Sequence, residues 1–473
     1  MEKERYDRKT FFEDAPIVKS ETTVTSETLE KAKLNVDANE LISFEIESEY
    51  TKLLNEDQNK VIPVMFSIKA KDVNIELPRV GIDLILVIDV SSSMMGEKLK
   101  LVIDTVNFII EELRPEDRFA VVKFNHSSKI ISGLIPMTQE NKNSLRKKIL
   151  TDVQASGSTN IALGLTDAFD IMLNRKFVNS LTSVCLLSDG ADTCGNSHPT
   201  FARIISTYDK MLKEKEMDYK INSFGYGIDH DEELLSNIAN QRYGNFYYIN
   251  NLKKVDECFI DLVGFLLSVF ALKGKVQVFL SQDCTMKQTY GNNWNKEKEE
   301  GKYSFDVGAI GFGMERNYVC EIEVKKVDPE MTRLLVGCLS FEVNGENITR
   351  FLEFKALTSA SERGDFNQKV ADNVVRVRSA AAIKTLETNM KLGKKEEAWT
   401  DFNNFIHQNV TINKQISEEC RDKIGAFANN KILKDVKIQK VVEVCLEREA
   451  YAPEYANFSK QNRIQKQMLL KRR

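Results

Sequence analysis

The chain changes its pattern of apolar and polar positions three times. After a first stretch of about 35 residues rich in Glu, Lys, Ser and Thr, residues 41–50 (LISFEIESEY) and 62–70 (IPVMFSIKA) alternate apolar with polar side chains, as strands with one buried face do. From residue 82 the alternation stops. IDLILVIDV is a continuous apolar run between polar turns, the pattern of a strand covered on both faces. Helix-period stretches then alternate with strands: a helix over 97–113, strands FAVVKF and KIISGL, helices over 139–150 and 161–173, strand SVCLLSD, a helix over 201–214, strand YKINSFGYG, a helix over 231–239, strand NFYYIN and a helix over 255–270. Repeated βα units of this kind predict a doubly wound sheet with helices on both faces.

Beyond residue 272 the strands follow one another without helices: KVQVFLS, YSFDVGAI, YVCEIEVKKV, RLLVGCLSFEV and ITRFLEFKAL. They predict an antiparallel sheet or sandwich. Strands of one kind thus flank an α/β module, which leads to an α/β plus β plus α fold class. The α/β domain (79–271) is inserted in a β-sandwich-like domain (36–78 and 272–360). A helical region (363–450) follows, in which VADNVVRVRSAAAIKTLETNMKLG has 3.6-residue spacing and stops at Gly393. Residues 1–35 read as a mobile arm and 451–473 as a basic tail.

Charged residues make up 29% and hydrophobic ones 42%, with 66 basic against 70 acidic side chains. That is the make-up of a soluble globular protein, and a formal charge of −4 offers no global field for nucleic acid. No apolar run reaches the ~20 residues of a membrane span, and the charged N-terminus does not read as a signal peptide. The eight cysteines are scattered without a CxxC pair, so reduced thiols and a cytoplasmic location are expected. His126, His198, His230 and His407 form no catalytic or metal spacing, and no glycine-rich phosphate loop is present. The tail from Lys460 to Arg473 holds six basic and no acidic residues. Its plainer reading is a solvated helix; the other is docking on an acidic protein surface, RNA or a tubulin-like polymer, as in a cytoskeletal or ciliary complex.

Candidate chemistry gathers where open sheets place ligands, at the carboxyl ends of the first and fourth α/β strands. Three loops fall there: DVSSSM from Asp89, ASGSTN from Ala155 and LLSDGAD from Leu186. In DxSxS the oxygens recur every second residue, so an extended loop turns Asp89, Ser91 and Ser93 toward one volume. With Thr159 and Asp189 they form a set of hard oxygen donors suited to Mg²⁺, or another divalent cation such as Mn²⁺, at about 2.1 Å. Zinc is disfavoured, since no Cys or His lies in these loops. Two carboxylates and neutral hydroxyls leave the ion hungry for an acid, which favours binding an Asp or Glu of a partner protein over hydrolysis.

The segments LVIDVSSSMMGEKL, ASGSTNIALGL and VCLLSDGADT resemble the metal-ion-dependent adhesion site of von Willebrand factor A domains, over about residues 81–271. INSFGYGIDHDEELLSNIA and FIDLVGFLLSVFA are most similar to intracellular members related to plant RING-type ubiquitin ligases. The resemblance implies metal ligation by Asp89, Ser91, Ser93 and Thr159, with Asp189 reached directly or through water. Ser92 and Ser158 stand where the family often has glycine, and the RING cysteines are missing. The expectation is a non-enzymatic intracellular scaffold or adaptor with no small-molecule substrate. The alternatives are a substrate-binding subunit of a ubiquitin ligase assembly and a structural component of a cytoskeletal or ciliary complex.

Overall fold

In a computed structural model of the chain, the described residues are 38–72, 80–189, 192–195, 198–226, 231–241, 244–249, 255–291, 294–328, 330–411 and 417–418. The expected N-terminal arm, the helical segments beyond 418 and the basic tail lie outside them. Contacts divide the chain into two compact units, one holding Pro78–Ser268 and the other Ala32–Leu77 together with Val269 onward.

The strands run in chain order as β1 (Ile42–Ser48), β2 (Lys52–Leu54), β3 (Lys60–Ala70), β4 (Ile82–Asp89), β5 (Arg118–Phe124), β6 (Ser128–Pro136), β7 (Leu181–Ser188), β8 (Lys220–Tyr226), β9 (Phe246–Ile249) and β10 (Val269–Leu280). They continue with β11 (Cys284–Thr289), β12 (Trp294–Lys296), β13 (Lys302–Gly311), β14 (Glu315–Val324), β15 (Met331–Val343) and β16 (Glu346–Ser359). The first unit is a six-stranded sheet in the order β6-β5-β4-β7-β8-β9. All its pairings are parallel except β5 with β6, an antiparallel edge that such sheets commonly carry. Every residue of β4 and of β7 is buried, as their uninterrupted apolar sequences require.

β4 lies between β5 and β7: the chain passes from β4 to β5 on one side and later crosses from β6 to β7 on the other, so the strand order reverses here. This is the crevice that places ligands at strand carboxyl ends. The register matters: Ile88 pairs with Leu187, and Asp89 pairs with Phe124 on the other side. Asp89 therefore ends its strand beside the Ser188–Asp189 end of β7. The Ile161–Asn174 helix is capped by Asn160, whose side chain accepts from Leu163 N–H. It lies close on the sheet at Gly164, where a Cβ would come within 2.7 Å of Phe124 and 2.8 Å of Val87. That approach brings the helix N-terminus, and the Thr159 loop before it, to the same edge.

The second unit is a β-sandwich. One sheet has the order β1-β3-β14-β11, the other β12-β13-β10-β15-β16-β2. Phe66 of β3 meets Trp294 and Phe305 of the opposite sheet at ring separations of 6.0 and 5.6 Å, and Phe305 meets Tyr318 of β14 at 4.4 Å. The Gln368–Lys391 helix covers the outer face of the first sheet, where Val370, Val374 and Val377 pack with Met65 and Val319. A charged hydrogen bond from Arg378 to Glu321, 2.7 Å long, fastens it. The Lys395–Ile406 helix packs on it in turn through Ala398, Phe402 and Ile406.

Two sequence readings change. The helix expected over 255–270 stops at Ser268, and Val269 opens β10; in an unbroken apolar run the periodicity cannot mark that border. Short β2, β11 and β12 escaped notice because three to six residues give too little alternation to read.

Asp83, second residue of β4, is fully buried with Arg118. Arg118 grips both its oxygens, from Nε at 2.8 Å and Nη2 at 2.6 Å, and Arg175 Nη1 adds a bond of 2.7 Å. Breaking a buried pair by removing one partner costs about 3–5 kcal/mol, because the other charge is left uncompensated. Asp83→Ala should lower stability by about that much, measured by urea unfolding of the full chain. A loss below about 1 kcal/mol would contradict the buried-network account.

Candidate functional site

The loop after β4 turns sharply through a short 3-10 turn, Ser92–Met94, with Met94 buried beneath it. Backbone bonds lock it to the Ala155–Asn160 loop: Ser92 N–H donates to Gly157 C=O at 2.9 Å and Ser156 N–H to Val90 C=O at 2.8 Å. Gly157 has φ +76°, and a Cβ there would strike the His126 ring, 2.2 Å from Nδ1. Glycine is needed at that position both for the backbone and for space.

The third loop joins through Thr193. Its N–H donates to Thr159 C=O at 2.9 Å, and its hydroxyl accepts from Thr159 N–H at 2.8 Å. Asp192 accepts from Ile161 N–H at 3.0 Å and Cys194 N–H at 3.1 Å. The three loops are thus one hydrogen-bonded assembly.

Within it, Asp89 Oδ1 accepts from Ser91 N–H at 2.8 Å and Oδ2 from the Ser188 hydroxyl at 2.6 Å. The Ser93 hydroxyl donates to Asp189 Oδ1 at 2.7 Å. The Ser91 and Ser93 hydroxyls lie 3.0 Å apart. Asp89, Ser91, Ser93 and Asp189 are in this way brought together. Thr159, 3% exposed, belongs to the bonded loops, but among the described residues no hydrogen bond joins its hydroxyl to the other four. Asp89, Ser91 and Asp189 are buried while Ser93 is exposed, so the cluster opens outward at Ser93. Ser92 and Ser158 are both exposed, and the Ser158 hydroxyl lies by the Cys194 thiol.

Burial is the main cause that holds the Asp89 carboxyl above its ordinary value; the Ser188 and Ser91 bonds oppose it, and the negative charge of Asp189 adds to it. The contrast with Asp83 on the same strand is chemical. Asp83 is neutralised by two guanidinium groups, whereas the bonds to Asp89 come from neutral donors. Asp189 has a cation of its own: Lys98 Nζ bonds to its Oδ2.

A family model described as the von Willebrand factor type A domain matches residues 83–259, from within β4 to within the Val255–Ser268 helix. The chain carries a von Willebrand factor type A domain. Inter-alpha-trypsin inhibitor heavy chain H2 of Mesocricetus auratus is 30% identical over 185 residues, which cover 36% of this chain and 19% of that protein. The chain thus matches about a fifth of that relative. Uncharacterized protein YfbK of Escherichia coli is 26% identical over 251 residues, covering 52% of this chain and 42% of its own. The solved von Willebrand factor type A structure from Catenulispora acidiphila has a TM-score of 0.62 at 14% identity, covering 87% of this chain and 96% of that one. It shares the fold.

The sequence reading of the von Willebrand factor type A domain missed three neighbours of the site. Lys98 falls in the helix expected over 97–113, where nothing local sets it apart. His126 and Cys194 lie outside the quoted loop motifs, yet His126 faces Gly157 and the Cys194 thiol is 3.8 Å from the Ser158 hydroxyl. They do not make a soft-metal centre: among the described residues no group of three His, Cys, Asp or Glu side chains is placed to hold a metal.

The raised Asp89 value has a stability consequence without any ion. A carboxyl whose folded value exceeds its unfolded one costs stability as pH rises through the interval from the ordinary 3.8 to the raised value, and the cost persists above it. Asp89→Asn removes that cost and can keep both hydrogen bonds, with Ser188 reversing its role. In EDTA at pH 7 this variant should melt above the parent, and the gap should close as pH falls toward 3.8. A lower melting temperature at pH 7 in EDTA would show that burial of the charge is not the dominant effect at Asp89.

Proposed function

We propose that the three loops hold a divalent cation, Mg²⁺ or Mn²⁺, and that the ion binds an Asp or Glu side chain of a protein partner, so that the chain works as a non-enzymatic intracellular scaffold or adaptor. The observation that carries this reading is the cluster Asp89–Ser91–Ser93–Asp189 at the adjoining ends of β4 and β7, with two buried carboxylates and an exposed hydroxyl. Its donors are all oxygen, which suits a hard ion. Asp89, Ser91, Ser93 and Thr159 would be direct ligands, with Asp189 bound directly or through water. When present, the ion supplies a Lewis-acid corner for an incoming carboxylate.

The chain's own residues do the rest. The backbone bonds among the loops hold the donors in place before any ion arrives, which reduces the ordering cost of binding. Ser91, Ser93 and Thr159 would bring no charge, so at most the two carboxylates offset the ion, and an acid suits the open position. No general base lies within the four bonded residues apart from the carboxylates that would hold the ion, which favours capture over catalysis.

The intracellular part of the reading draws on the thiols. Cys185, Cys284, Cys320 and Cys338 are buried and free, and Cys194 is exposed and free. Unpaired cysteines, one of them accessible, suit a reducing compartment. Among the described residues no helix is long and apolar enough to cross a membrane, and the near-balanced charge offers nucleic acid no broad basic surface.

The test is recovery of partners from a cell extract on the immobilised full chain, in Mg²⁺ and in EDTA, read by mass spectrometry beside Asp89→Ala. Both chelation and the substitution should cut recovery of the same proteins at least about tenfold, the scale of losing a charge-assisted contact. The circular dichroism spectrum should stay unchanged, because the loops are tied by backbone bonds. Equal recovery with Mg²⁺, with EDTA and with the variant would end the proposal.

A further inference from the structure

Lys98 is a charged side chain that the structure places on an expected metal-site carboxylate. It is the second residue of the Glu97–Glu112 helix, after Gly96 with its positive φ of 90°. A cation there is opposed by the helix dipole, which favours negative charge at the N-terminus. Its placement follows instead from the backward tilt of helical side chains, which turns Lys98 over the DxSxS loop and onto Asp189. The Asp189 side chain is fully buried and the Lys98 side chain is 35% exposed. Both Asp189 oxygens thus carry a bond, from Ser93 on Oδ1 and from Lys98 on Oδ2.

We propose that Lys98 is a tethered counter-ion that competes with the divalent cation for Asp189 and so sets how readily the site loads. The inference rests on the reading of the loops as a cation site. An ion drawing on Asp189 meets a carboxylate already paired and an ammonium of like charge beside it. Direct ligation by Oδ2 would displace the Lys98 side chain, which its partial exposure allows. Without Lys98, two carboxylates would neutralise a divalent ion. With it, the loaded cluster keeps one net positive charge. The same side chain therefore weakens affinity for the metal and strengthens the attraction of the loaded site for a partner's acid.

The experiment is Mn²⁺ binding to the full chain, read from the paramagnetic resonance signal of free Mn²⁺ and checked by equilibrium dialysis. Lys98→Met keeps the length and apolar stem without the charge, Lys98→Gln keeps polarity, and Lys98→Arg keeps the charge. Met and Gln should each tighten Mn²⁺ binding about tenfold, the scale of one partly exposed charge interaction, while Arg should bind as the parent does. If Met and Gln bind no tighter than the parent while Asp89→Ala abolishes binding, the role of Lys98 is refuted and the cation site stands. If neither the parent nor any Lys98 variant binds Mn²⁺, both ideas fall together.

Discussion

Two carboxylates at the ends of neighbouring parallel strands are the constraint around which the first unit is arranged. β4 and β7 run in register to Ile88 and Leu187, so Asp89 and Asp189 emerge from the sheet side by side, and the charge of Asp189 acts on Asp89. Like charges with little water around them raise the free energy of the ionised pair unless hydrogen bonds or a cation offset it. The surrounding loops answer that demand. Ser188 and the Ser91 amide serve Asp89; Ser93 and Lys98 serve Asp189. The remaining anionic character faces outward at Ser93.

The two aspartates of β4 show how one strand can carry structure at one end and chemistry at the other. Asp83 sits at the amino end, enclosed by Arg118 and Arg175, and its charge is spent inside the protein. Asp89 sits at the carboxyl end, where the sheet stops and loops can move aside for a ligand. Six residues apart in a strand, both side chains are buried; what separates their roles is the kind of donor that reaches them. Guanidinium groups close a site, whereas hydroxyl and amide groups leave it able to accept more positive charge.

Much of this was legible in the residues. The run IDLILVIDV announces a strand buried on both faces, and β4 is buried at every position. DxSxS starts at the last residue of β4 and Ser188–Asp189 stand at the end of β7, while the loop before the Ile161–Asn174 helix, which no strand directly precedes, is tied to the first of them through its bonds to Ser92 and Val90. The parts that stayed hidden depend on contacts between distant residues or on segments too short to show a period. Asp83 meets partners 35 and 92 positions away, which no local pattern encodes. Lys98 reads as a solvated helix residue until the fold brings Asp189, 91 positions on, beneath it. β12 has three residues, fewer than one full alternation can identify. At Ser268 and Val269 a helix passes into a strand inside one apolar run, where burial alone selects the residues and both structures satisfy it.

The network also separates holding the loops from holding an ion. Ser92 to Gly157, Ser156 to Val90 and Thr193 to Thr159 are backbone bonds, and they need no cation to form. The side-chain bonds between Ser91 and Ser93 and from Ser93 to Asp189 can be exchanged for metal–oxygen contacts by rotating hydroxyls. An arriving ion would therefore act on the inexpensive part of the assembly, side-chain torsions and one lysine, and leave the backbone frame as it is. Such a site can load and empty without refolding, since the energy that shapes it comes from the sheet and loops rather than from the metal.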